Sequence, residues 1–140
     1  MKLRCYIGAV LFLRLAACQR PAKTQCIASL QDELSAIDTL MQTRPDSALA
    51  LLWASPMDDP YYQLLLSEAL YKNNSAQLNR PELLGAAAYY DSLGCPFLSA
   101  RCHYMSGVGY YEMDSVVEAC KEYIKAQGNW WFSSRLKMMR

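Results

Sequence analysis

The chain has a single histidine, His103, and that scarcity removes most hydrolytic chemistry. There is no second histidine and no Gly-x-Ser-x-Gly elbow to present a nucleophile, so acyl transfer has no visible apparatus. A lone helical histidine is more often packed or solvated than a base. Charge is scarce as well: 19% of residues are charged and the formal balance is +1, which gives no reason to seek phosphate backbones. Lys2, Arg4 and Arg14 supply three positive charges before Cys18 with no acid among them, so the remainder stands at −2. The apolar run from Cys5 to Leu13 is nine residues long, far short of the roughly 20 that a membrane-spanning helix needs. No cysteines have the close C-x-x-C spacing of common zinc sites, and no stretch alternates like a strand. Gly107-Val108-Gly109 lacks the later glycine, the lysine and the preceding strand of a phosphate loop. Acid pairs such as Asp58-Asp59 and Glu118-Glu122 read as caps or solvated faces. The sequence therefore points to no enzyme, no cofactor and no metal.

What the chain does have is apolar residues, 53% of the total, set at helical spacing. A first helix is expected from Cys26 to Thr43, because Ile27, Leu30, Leu34, Ile37 and Met41 recur at threes and fours. Arg44-Pro45-Asp46 ends it, since proline disfavours helical geometry in the residue before it. A second helix starts near Asp46 and carries Ala48, Leu49, Leu51, Leu52 and Trp53. Asp59 as N-cap and Pro60 at the first helical position open a third, with Tyr61, Leu64, Leu65, Ala69 and Leu70 inward. After a polar loop from Lys72 to Asn79, a fourth helix begins at about Pro81, carrying Leu84, Ala87, Ala88 and Leu93, and Gly94 stops it in a left-handed position. Pro96 opens a fifth helix. Ser115, with Glu118 in an S-x-x-E capping box, opens a sixth. Gly128 is expected to break that helix. The fold class is all-α, divided into a signal segment 1–17, a tether 18–25, a helical domain 26–127 and an irregular tail 128–140.

Within the last pair, Gly107 is followed by Tyr110, and then Ala119, Tyr123 and Ala126 fall at spacings of four and three. Small residues facing an aromatic at fixed intervals are what close helix packing requires. These five positions resemble the signature of the tetratricopeptide repeat, a helix-turn-helix unit of 34 residues. Two departures are His103, where a large aromatic is common, and Trp131, where the closing proline belongs. Ala36, Ala48, Leu52 and Pro60 match a second register upstream. The resemblance implies a right-handed α-solenoid of about six helices in three hairpins, which binds protein or peptide along a concave groove. By that likeness Arg101, Tyr104, Val108 and Tyr111 of the fifth helix line the groove. A second reading packs the tyrosines on the fourth helix through Tyr89 or Tyr90.

The start of the chain carries an address. Lys2 and Arg4 precede the apolar run, and Leu15-Ala16-Ala17-Cys18 resembles the lipobox of bacterial lipoproteins. That resemblance implies cleavage before Cys18 and fatty acylation (diacylglycerol, palmitate) of its thiol. The domain would then hang from an inner or outer membrane, facing the periplasm. An ordinary cleaved signal, with Cys18 incidental, is the plainer alternative. The run Arg44 to Leu52 is similar to a stretch found in repeat-built lipoproteins of bacteria. Longer relatives of that kind add a membrane span and a DNA-binding domain, so the rival reading is a shortened sensor. Of the remaining cysteines, Cys26, Cys95, Cys102 and Cys120, the spacing does not separate bridged from simply buried.

Overall fold

The computed structural model describes residues 32–75 and 80–138. The signal segment, Cys18, the tether and the start of the first helix lie outside them. Among the described residues there are six helices and no strand: α1 (Asp32–Met41), α2 (Pro45–Ala54), α3 (Pro60–Lys72), α4 (Arg80–Ser92), α5 (Pro96–Tyr111) and α6 (Val116–Met138). The all-α class is thus the observed one.

Local chemistry sets most boundaries. Proline fixes the backbone angle at the first position of α2, α3 and α5, where its missing N–H costs nothing. Asp59 caps α3 from extended backbone, its carboxylate accepting from Tyr61 N at 2.8 Å and Tyr62 N at 3.2 Å. Helices α3, α4 and α5 end alike. A left-handed residue (Asn74, Gly94, Asp114) is followed by an N–H that reaches back to a carbonyl five residues earlier. Those bonds are Ser75 N to Leu70 O, Cys95 N to Tyr90 O and Ser115 N to Tyr110 O, each between 2.9 and 3.0 Å.

Each helix packs on the next, and α1 also meets α3, as α3 meets α5. One apolar core runs from Leu34, Ile37 and Met41 of α1, through Leu52, Leu64 and Leu65, to Leu83, Leu98 and Met105. Helix α5 is buried nearly all round, including Cys102, Ser106, Gly107 and Val108, because α3, α4 and α6 surround it.

Three expectations fail. The buried face of α4 is Leu83, Ala86, Ala87 and Tyr90. Of the residues read from the sequence only Ala87 lies there, while Ala88 is exposed and Leu93 is 49% exposed at the turn. The right period was taken one residue out of phase. Ala36, which matches the upstream repeat register, is exposed on α1. The break at Gly128 is also absent, and the described part of the tail expected over 128–140 is helical, since α6 continues through Gly128 to Met138. An interior glycine costs a helix only about 1 kcal/mol. The next turn recovers it: Asn129 Nδ2 donates to Ser99 Oγ at 2.7 Å, and the Trp130 ring lies 6.0 Å from Phe97.

Candidate functional site

One face each of α1, α3 and α5 encloses an open cavity of about 400 Å³. Helix α1 supplies Asp38 and Gln42, one turn apart. Helix α3 supplies Glu68, Tyr71 and Lys72, and α5 supplies Phe97, Arg101, Tyr104 and Met105. The spacing on α5 is i, i+4, i+7, i+8, one stripe of a helix.

The floor is an ion-paired triad. Arg101 donates from Nη1 and Nη2 to Asp38 at 3.0 and 2.9 Å, and from Nε and Nη2 to Glu68 at 2.8 and 2.6 Å. The Asp38 carboxylate also accepts from Tyr61 Oη at 2.6 Å. Side-chain exposure is only 17% for Arg101, 23% for Asp38 and 14% for Glu68. Burial works against the charge on Asp38, but the hydrogen bonds from Arg101 and Tyr61 outweigh it and hold the carboxyl below its ordinary value. Burial likewise opposes the guanidinium charge, and the bonds to Glu68 and Asp38 more than restore it, so Arg101 stays protonated. Burial, with Asp38 beside it, pushes the Tyr61 hydroxyl above its usual range. A fork of this kind, bidentate to two carboxylates from two helices, fixes how three helices meet.

The walls are aromatic. Tyr71 is 42% exposed, Phe97 42% and Tyr104 49%. Phe97 lies over the Arg101 guanidinium at 5.7 Å from its centroid, and Tyr104 leans on Tyr123 of α6 with ring centroids 5.7 Å apart.

Of the four residues expected to line a groove, Arg101 and Tyr104 border the cavity. Arg101 serves as clamp rather than free cation. Val108 is buried, and Tyr111, though 63% exposed, is not part of the cavity wall. Tyr89 and Tyr90 pack on each other, and the ring partner of Tyr104 is Tyr123. Asp38, Glu68, Tyr71 and Phe97 were missed. Phe97 was recoverable as the residue one turn before Arg101. The two acids had no local signal, being 63 and 33 residues away from Arg101.

Of the residues read as a repeat signature, Gly107 and Tyr123 meet. A Cβ added to Gly107 would lie 2.6 Å from the Tyr123 ring, so glycine is what admits that ring. Ala119 and Ala126 are buried beside it on α6. On the same face His103 Nδ1 sits 2.6 Å from Glu122 Oε2, and Nε2 sits 3.4 Å from Asp91 Oδ2. Ser99 is fully buried and donates to Asp91 rather than to His103, so the order nucleophile, base, orienter is not formed. The group is a brace between α4, α5 and α6. Cys102 is a buried free thiol, pushed up to about 12 by burial and then by the nearby Glu68 charge, and Cys120 is free and exposed. Cys95 is disulfide-bonded. Among the described residues no group of three or more His, Cys, Asp or Glu is placed to hold a metal ion, and no helix is long and apolar enough to cross a membrane.

Compared with protein-family models, with curated proteins and with solved structures, the chain matches none.

Proposed function

We propose that this chain is a lipid-tethered scaffold of the bacterial envelope, built as a tetratricopeptide-like right-handed solenoid, whose groove between α1, α3 and α5 binds an extended segment of a protein or peptide partner. The observation that carries this reading is the set of half-exposed aromatics, Tyr71, Phe97 and Tyr104, arranged around a triad whose charged groups are already hydrogen-bonded to one another. Rigid aromatic anchors beside pre-paired charges are a favourable binding surface, because little side-chain freedom remains to be lost on docking. The resemblance of Leu15-Ala16-Ala17-Cys18 to a lipobox supports the tether. A disulfide at Cys95 fits an oxidising compartment.

A random-peptide display library panned on the protein tests the groove. Enriched peptides should bind the Tyr71→Ala/Tyr104→Ala double variant at least about 10-fold more weakly, while its circular dichroism stays that of the parent. Peptides that bind the double variant equally well would reject the groove. Mass spectrometry of the membrane fraction tests the tether separately, through an acylated Cys18 at the mature amino terminus.

A further inference from the structure

Cys95 is 3% exposed and stands between the Gly94 turn and Pro96, at the head of α5. It is disulfide-bonded, whereas Cys102 and Cys120 are free thiols. The chain has six cysteines. The sulfur joined to Cys95 therefore belongs to Cys5, Cys18 or Cys26, all of which lie outside the described residues. The described helices bear on which of them it is. Consecutive helices pack on each other across short connections, so α1, α3 and α5 run in one direction. The contacts agree, since Tyr61 and Lys72 of α3 reach Asp38 and Met41 of α1 in the same order. Arg101 of α5 bonds Asp38 of α1 directly. Six residues back from that contact, about 9 Å along each helix, stand Cys95 before α5 and Asp32 at the start of α1. The chain thus enters α1 at the end of the molecule where Cys95 lies. Cys26 is six residues before Asp32, a reach of about 9 Å along a helix and about 20 Å along an extended chain.

We propose that Cys26 is the partner of Cys95, and that their bridge ties the entry to α1 to the head of α5. The preference for Cys26 over Cys5 and Cys18 rests on the tether reading above: Cys5 leaves with the signal, and an acylated Cys18 has no thiol to pair. The bond forms by exchange with a protein disulfide that acts as oxidant. One cysteine thiolate attacks that disulfide, and the other then displaces the mixed disulfide so formed. The Cys26–Cys95 bond is made, the oxidant's bond is broken, and two electrons and two protons leave with the oxidant as a pair of thiols. The position of α1 gives the bridge its effect. Among the described residues α1 packs on α2 and α3, and Arg101 joins it to α5 across the groove. A covalent tie at Cys95, two residues before the groove residue Phe97, adds a second crossing below that of Arg101. The loop it closes takes in α1 to α4, and closing so long a loop constrains the unfolded chain strongly.

Peptide mapping reads the pairing, on the full chain taken from the membrane fraction without reductant and alkylated in denaturant. The expected result is one linked peptide pair carrying Cys26 and Cys95, with Cys102 and Cys120 alkylated. Alkylated Cys95, or Cys95 linked to any other cysteine, would overturn the proposal. Its failure is separable from that of the tether. Acylated Cys18 beside alkylated Cys95 sinks the bridge alone, whereas a Cys26–Cys95 link beside an unmodified Cys18 supports the bridge and sinks the tether. Urea unfolding reads the mechanical effect. Cys26→Ser should lower the midpoint by about 1–2 M. Reductant should bring the parent down to the same midpoint and leave the variant where it is. A Cys26→Ser midpoint equal to that of the oxidised parent would overturn the tie between α1 and α5.

Discussion

Arg101 and His103 stand two residues apart on α5, about 200° around the helix, and each holds one of its faces by a different chemistry. Arg101 looks toward α1 and α3 and spreads four hydrogen bonds over two carboxylates. His103 looks toward α4 and α6, with Asp91 on one ring nitrogen and Glu122 on the other. The first face is clamped by a group that is charged at every working pH. The second depends on an imidazole set between two carboxylates and on the close fit of Gly107 to Tyr123. Both clusters are largely buried, and buried ions stabilise little in themselves. Their effect is to admit one geometry and penalise others. The α1–α3–α5 face, which shapes the groove, thus carries the arrangement less open to adjustment.

The largest expected effect comes from breaking the rigid face. Arg101→Ala leaves Asp38 and Glu68 close together and little exposed without their cation, at a cost of about 3 kcal/mol in the urea-unfolding free energy. Adding Asp38→Asn and Glu68→Gln to that variant should recover most of the loss, because the penalty lies in the stranded charges. A loss under about 1 kcal/mol for the single variant would put the triad with ordinary surface pairs and dissolve the contrast between the two faces.

The two faces also differ in how far the sequence discloses them. The helix class, the Asp59-Pro60 opening and the left-handed stop at Gly94 were legible because capping and turn chemistry is local, complete within a few residues. The contact of Gly107 with Tyr123 was legible because its spacing spans one short turn. Arg101 was singled out, but its role as a clamp between helices was not legible. Its partners come from α1 and α3, and no periodicity reports which distant acids a cation meets. The phase of α4 was lost for a related reason: with apolar residues on several sides, only the neighbours decide which side is covered. Gly128 was overweighted, because its weak intrinsic effect yields to contacts made by Asn129 and Trp130.

A smaller effect is expected on the second face. Gly107→Ala drives a methyl into the Tyr123 ring, which also leans on Tyr104. Overpacking of this kind costs about 1–3 kcal/mol, and better helix propensity returns about 1. The net loss should be near 1 kcal/mol by chemical denaturation. In a Tyr123→Ala background the obstruction is gone, and the same Gly107→Ala change should become stabilising. If its sign is the same in both backgrounds, the ring contact is not what requires glycine at 107.

The smallest effect is a dependence on pH that distinguishes the faces by their acids. Burial opposes ionisation of Glu122, but hydrogen bonds from Lys125 and His103 outweigh it and hold the carboxyl below its ordinary value of 4.5. A carboxyl lowered on folding binds fewer protons in the folded chain than in the unfolded one. Its contribution is therefore complete above 4.5 and is lost as pH falls through the lowered value. Asp38 follows the same sign from its ordinary value of 3.8, so on acidification the α6 face should begin to weaken first. Glu122→Gln should cost about 1 kcal/mol near pH 7, and that difference from the parent should shrink steadily below about pH 5. Asp38→Asn should keep its full difference to a lower pH before converging. Urea midpoints across the acid range read both trends. If the Glu122→Gln difference held constant down to the acid limit, the carboxylate would be contributing shape rather than charge, and the two faces of α5 would be alike in being indifferent to protons.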